Sequence, residues 1–411
     1  WEDNFCDRQR WLDKFDIHKQ KRMIAGLDAA IGMSSKELGR KDLSVKLEVL
    51  LKRDDPEWAP RIIYAGNDAF NAVTGPAMMV VMERLVELLA RTKVGPVKFK
   101  LAYKTNDVSI VEFLDDFSTP HTYEGDFSAN DKEQRSRTSL IFDAWLEKLA
   151  MPQWLRDLLI AFDVYSVGNH SFGVLAHLKY QLPTGTTATT PRNSIYNMTM
   201  FAVACARQRI PFARACVLGD DILARTCRKF CIVLWKAVVD LFKMRLKGKD
   251  VQFIGQATLL SRRIIIAGDT KCMVPLLGKA IARFNARASL NSAVTDSRYM
   301  AGKSLSYAYE FRHVPFMRDF FLSRYEMEDT LAVTLDDLTW FTRTAGIDLG
   351  NIVQAIMDET VLVPDHLFAE WLMDTYELGM CDLEEIMTLV IVNQEREFIT
   401  HPSVDDLAID W

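Results

Sequence analysis

The stretch CVLGDDIL, residues 216–223, sets two short apolar runs, 215–218 and 222–224, on either side of Gly219-Asp220-Asp221. Apolar runs of that length around a glycine and two acids read as a β-hairpin with the acids at its turn. Two carboxylates held that close repel, and one pKa is driven up unless a cation neutralises the pair. A divalent metal removes that penalty. Phosphoryl transfer needs such a place, because two metals roughly 4 Å apart activate an attacking 3′-hydroxyl and stabilise a leaving pyrophosphate. Mg²⁺ takes a few carboxylates plus substrate phosphates, so a further acid is expected from elsewhere in the chain. Asp126, at the end of a predicted strand over 122–127, is the candidate, and Asp131 follows it.

Upstream of the hairpin, the Thr/Gly/Pro-rich segment LPTGTTATTPRNS (182–194) predicts a loop that opens a long apolar helix to about residue 209. Amphipathic helices are expected over 136–150 and 153–162, and a strand over 97–101. A helix is expected over 76–92, stopped by Gly95-Pro96. Residues 13–51 read as helical and charged, and WAPRIIYAG (58–66) as a loop entering a short strand. Downstream, a helix over 229–242 and strands near 251–253 and 257–266 are followed by helical signals from about 275 to the end. The elements predict an α+β chain, with no internal repeat and no linker.

At 411 residues and 49% hydrophobic composition, the chain is long enough for two or three packed subregions. No apolar stretch approaches the roughly 18 residues of a membrane span, and the first residues show no signal-peptide pattern. The chain opens on Trp1 without a Met, which predicts a piece of a longer polypeptide, and any membrane attachment is expected from regions outside it. Seven cysteines form no CxxC pair and are expected to be reduced and mostly buried, and the seven histidines lack ligand spacing. A net charge of −5 argues mildly against a nucleic-acid binder. Its distribution argues otherwise: Lys and Arg concentrate in 41–61, 93–104 and 225–263, so a positive channel fits inside a molecule negative overall.

YEGDFSANDKEQ (123–134), LPTGTTATTPRNS (182–194) and CVLGDDIL (216–223) resemble motifs A, B and C of the RNA-dependent RNA polymerases of positive-strand RNA viruses. Motif A is matched by Asp126 and Asp131, motif B by Gly185, Thr189 and Asn193, and motif C by Gly219, Asp220 and Asp221. The resemblance implies that Asp126 and Asp220 hold two Mg²⁺ or Mn²⁺ ions, with Asp221 a weaker or outer ligand. It implies that Asp131 and Asn193 face the ribose with Thr189 completing the network, which favours ribonucleotides because a site built for a 2′-hydroxyl penalises its absence. The Gly185 loop would supply flexible backbone near template and base.

The same resemblance places triphosphate-binding cations in KLEVLLKRDDPEWAPRII (46–63). Arg61 is the first choice there, its planar guanidinium suiting bidentate phosphate contact, and Lys52 the second; Lys46 and Arg53 also read as a solvated charge run. FKMRLKGKD (242–250) offers Lys243, Lys247 and Lys249 as general acid toward pyrophosphate, with Lys247 favoured. In QATLLSRRII (256–265), Ser261 and Arg262 are candidates for the primer backbone, and Arg262 and Arg263 read equally well as surface charges. KSLSYAYEFRHVPF (303–316) is similar to a pattern of the tombusvirus-like and nodavirus-like group.

The fold so implied is a right hand: fingers in 1–121 and 136–180, an antiparallel-sheet palm in 122–135 and 181–274, and a helical thumb in 275–411. The implied partners are template and nascent RNA, nucleoside triphosphates and other replication proteins. The expected setting is the host cytoplasm, in a replication complex on membranes. Two rival readings stand beside it. A reverse transcriptase shares the acidic turn, although its turn usually reads Tyr-x-Asp-Asp and here Leu218-Gly219 precedes the acids. A silent palm kept as an RNA-binding scaffold would have no need to hold repelling carboxylates.

Overall fold

The computed structural model describes residues 8–15, 17–46, 62–128, 130–169, 173–287, 294–328, 330, 333–339, 342, 348–392 and 407–410. Among them, 8–46, 62–105 and 113–252 form one compact unit, and 106–112 with 253–410 form a second.

The first unit is built on a five-stranded sheet. Its strands are β3 (Val97–Leu101), β4 (His121–Ser128), β7 (Ala213–Leu218), β8 (Asp221–Thr226) and β9 (Arg245–Val251), in the order β3-β7-β8-β4-β9. All pairings are antiparallel except β3 with β7. The period-2 rule is visible in β3, where Val97, Phe99 and Leu101 are buried and Lys98 and Lys100 lie between them less covered. Helix α2 (Thr189–Arg207) and helix α3 (Ile232–Asp240) supply apolar faces to the same core, in which Phe201, Phe230 and Trp235 meet edge to face or tilted. The Trp235 ring comes so close to β4 that a Cβ on Gly125 would stand 2.5 Å from it, which is why a glycine precedes Asp126.

A second sheet in this unit runs β2-β1-β5-β6, from β1 (Lys41–Val45), β2 (Ile62–Gly66), β5 (Val164–Asn169) and β6 (Val174–Lys179). Here the sequence expectations needed correction. Residues 41–45 are a strand, not the end of a charged helix, because pairing with β2 and β5 overrides the local pattern. The β5–β6 hairpin was not expected. Helix α1 (Asp68–Arg91) starts well before Pro76, because Asn67 caps it by accepting from the Phe70 N–H at 2.7 Å.

The second unit joins a three-stranded antiparallel sheet, β10 (Thr258–Leu259), β11 (Arg262–Ala267) and β12 (Thr270–Pro275), to helices at Leu277–Arg283, Asp296–Glu310, Pro315–Glu326, Asp365–Tyr376 and Met380–Val392. Phe284, Phe311, Phe321 and Phe368 anchor its core. Arg262 and Arg263 are not surface charges: both are 4% exposed. Arg262 pairs with Asp107 at 2.9 Å and Arg263 with Asp410 at 2.7 Å. Their charge is taken up inside the unit, so Arg262 is not placed as a primer-backbone contact. The Asp410 carboxylate also accepts from the Gly278 N–H at 2.8 Å and the Tyr376 hydroxyl at 3.0 Å. Among the described residues, no helix is long and apolar enough to cross a membrane. The six described cysteines are free thiols, and only Cys205, Cys216 and Cys272 are buried.

Candidate active site

Strands β7 and β8 are joined by a two-residue turn, Leu218 standing opposite Asp221 with Gly219 and Asp220 between them. Gly219 has φ +64°, and Asp220 is not among the positive-φ residues, the pattern of a type II′ hairpin turn with glycine at its first central position. A Cβ at Gly219 would meet nothing, so backbone conformation rather than space demands the glycine. The turn puts Asp220 at the hairpin tip and Asp221 at the first position of β8.

Strand β4 lies beside β8 with Gly125 opposite Ile222. Continuing that register by one residue sets Asp126 across from Asp221, so the three expected acids share one end of adjoining strands. Like charges in opposed positions destabilise a sheet, and a bound cation offsets that repulsion. Asp126 is exposed, and Asp220 and Asp221 are half-buried. In the described residues no three His, Cys, Asp or Glu side chains close around one metal position. The donor set nevertheless fits Mg²⁺ or Mn²⁺ in kind, being carboxylate oxygens alone.

On the other edge of β4, Lys247 of β9 stands opposite Asp126. Opposed residues of an antiparallel pair share a face, so register favours Lys247 among the three lysines. Lys249 instead pairs with Glu124 at 2.9 Å, and Lys243 sits at positive φ before β9 begins.

Helix α2 braces the turn. The Gly219 N–H donates to Ser194 Oγ, and Asn197 Nδ2 donates to the Asp220 carbonyl, each at 2.8 Å. Neither residue was assigned a role from the sequence. The signal that finds them is helical spacing, since Asn197 lies one turn beyond Asn193 on the same face. The helix start is itself anchored: Arg192 pairs with Asp163 at 2.5 Å inside the protein, and its Nη2 donates to Ser139 Oγ at 3.1 Å.

Gly185 has φ +91°, and a Cβ there would approach Ile63 Cγ2 to 3.0 Å. The loop around it docks on β2, with the Tyr64 N–H donating to Thr184 Oγ1 at 3.1 Å. The Thr189 hydroxyl donates to the Pro183 carbonyl at 2.8 Å, within the same loop. Asn193 is buried, and its Oδ1 accepts from Gln134 Nε2 at 2.7 Å. Asp131 falls in the short helix Asn130–Glu133 that follows β4. Arg61, Lys52 and Arg53 lie outside the described residues.

A family model described as RNA dependent RNA polymerase matches residues 9–342, most of the chain. The chain belongs to that polymerase family. By sequence, no curated protein matches it. Among solved structures, it is similar to an insertion-loop deletion mutant of the RNA-dependent RNA polymerase of a human picorbirnavirus, at 16% identity and a TM-score of 0.52. That match covers 74% of this chain and 59% of the picorbirnavirus chain, so the polymerase domain here aligns with somewhat over half the length of its neighbour. The likeness shows the fold, and the mixed helix-and-sheet polymerase architecture expected from the three motifs is the one observed.

Proposed function

We propose that this polymerase-family chain extends the 3′ end of RNA on an RNA template, consuming nucleoside triphosphates and releasing pyrophosphate, as the step that copies a viral genome of the tombusvirus-like or nodavirus-like kind. The observation that carries the reading is the gathering of Asp126, Asp220 and Asp221 at one end of β4, β7 and β8 on a turn braced by Ser194 and Asn197. In this reading the first unit supplies the fingers and most of the palm, and the second supplies the last palm strands, β10–β12, and the thumb from residue 275 on.

Asp126, Asp220 and Asp221 would hold two divalent cations, whose chemistry when bound is to acidify the primer 3′-hydroxyl and stabilise charge on the leaving group. The chain's own residues do the rest. The Gly219 turn fixes where the acids stand, and the Asn197 amide keeps the Asp220 backbone from swinging. Lys247, across from Asp126, carries protons to hand to the departing pyrophosphate. Asp131 and Asn193 address the ribose, with Thr189, tied to the Pro183 carbonyl at the start of the helix that carries Asn193, completing that network, and Arg61 and Lys52 meet the triphosphate.

Primer extension on a homopolymeric RNA template with Mg²⁺ or Mn²⁺, comparing the unaltered chain with Asp220→Ala, tests this. Synthesis lost in the variant supports it. RNA binding without synthesis by the unaltered chain would leave a scaffold, and a preference for deoxynucleotides would point to a reverse transcriptase.

A further inference from the structure

Lys41, the first residue of β1, is fully buried, and among the described residues its Nζ has no hydrogen-bond partner. The centre of the Phe70 ring lies 3.3 Å from that nitrogen and the centre of the Phe162 ring 5.8 Å away. A ring face attracts a cation but leaves most of the donors of an ammonium unused. Lys41 lines a cavity of about 20 Å³, and Asp163 and Arg192 stand in the same wall. Those two have opposite charges and pair with each other through both Nη atoms of Arg192. The wall therefore carries one uncompensated positive charge whenever Lys41 is protonated. β2 and β5 set only Gly66 and Val167 opposite Lys41, and burial alone accounts for its lowered pKa. A methionine would fill the same space without stranding an amine, so packing alone does not account for a lysine here.

We propose that this cavity is a binding site for one small monovalent anion of the halide class, chloride being the form met in solution, held against the Lys41 ammonium. Size selects the class, because about 20 Å³ admits a water molecule or a single atom of similar size and excludes sulfate, phosphate and nucleotides. Charge selects it too, since one net positive charge in the wall is met by one negative charge in the cavity. Much of the remaining lining is apolar, with Phe142 and Leu159 in it, and the edges of aromatic rings are the positive part of their quadrupole. Pro183, Thr186 and Ala188, from the loop that carries Gly185, belong to the same wall. A bound anion thus joins β1 to that loop. Nothing in the polymerase reading requires this site.

The test adds potassium chloride or potassium gluconate, at equal ionic strength, to the whole chain. In lightly buffered solution at pH 7, where about half of the Lys41 amines are neutral, saturating chloride takes up close to half a proton per chain and gluconate takes up none. Chloride-35 NMR line broadening by the protein is saturable and is reversed by bromide but not by sulfate. The chloride affinity read from it falls about 10-fold for each pH unit above 7. Lys41→Met, shown by circular dichroism to be folded, abolishes both the proton uptake and the saturable broadening. Should that variant fail to fold, the pH dependence and the halide-over-sulfate preference of the unaltered chain decide alone. Equal proton uptake with chloride and gluconate overturns the proposal and leaves a cavity holding water only. Chloride binding that survives in Lys41→Met, or that sulfate matches, also overturns it. Neither readout needs RNA synthesis, so the polymerase reading stands or falls separately.

Discussion

Arg262 and Arg263 in the second unit, and Asp126, Asp220 and Asp221 in the first, are charged clusters borne on β-strands or the turn between them, and they differ in the mixture of signs. In the second unit each arginine is buried against a named carboxylate, Asp107 or Asp410. In the first, three acids occupy adjoining positions at one strand end, with Lys247 the lysine that register sets beside them. A cluster whose charges are balanced from within holds a fold together. A cluster with an excess of one sign is a place for something of the other sign. Substitution should therefore damage stability in one region and activity in the other.

The largest effect is expected at the acids: Asp220→Ala or Asp126→Ala lowers primer extension by roughly 10³-fold or more, since a lost metal ligand forfeits several kcal/mol of transition-state stabilisation. The same variants keep the unfolding midpoint within a few degrees or raise it, because a repelling charge has gone; a large fall in midpoint would erase the contrast. The converse is expected of Asp410→Ala, which leaves Arg263, Tyr376 and the Gly278 N–H without their shared acceptor. It costs about 3–5 kcal/mol in a denaturant titration.

Lys41 sharpens the comparison, being a charge-bearing group in the first unit with no balancing carboxylate among the described residues. It is fully buried, its Nζ makes no hydrogen bond and lies 3.3 Å from the centre of the Phe70 ring, and burial lowers its pKa from 10.5 to about 7. Asp163 and Arg192 line the same small cavity but are paired with each other. With the folded pKa depressed, the unfolded chain binds the extra proton between about pH 7 and 10.5, so stability rises with pH across that window and is flat with respect to this group below it. Lys41→Met abolishes the rise and stabilises the protein at pH 6 by about 1–3 kcal/mol. The smallest effect is at the brace: Asn197→Ala lowers kcat about 10-fold, one hydrogen bond's worth, with little change in KM for nucleotide.

Much of the first cluster was legible because its chemistry is local. A glycine before two acids, between apolar runs, dictates a hairpin with φ > 0 at the glycine, and the spacing of Gly185, Thr189 and Asn193 follows one loop into one helix. That Lys247, rather than Lys243 or Lys249, stands opposite Asp126 needed register, which strand pairing determines and spacing alone does not. Ser194 and Asn197 were visible as letters but not as braces, since their partners are backbone atoms of another element. The arginines at 262 and 263 were misjudged for a related reason: two charges in a row look exposed until partners at 107 and 410 are known. Strand β1 was hidden because three of its five residues are polar or charged, and only the sheet around it makes it extended.

Arg263 leaves the ribosome long before Asp410, the two being separated by 147 residues. Until that carboxylate arrives, burying the guanidinium alone would cost several kcal/mol. During synthesis, the strand pair β11–β12 must therefore keep one face in water while the helices that follow are made. The second unit then closes last at the place where its sheet began.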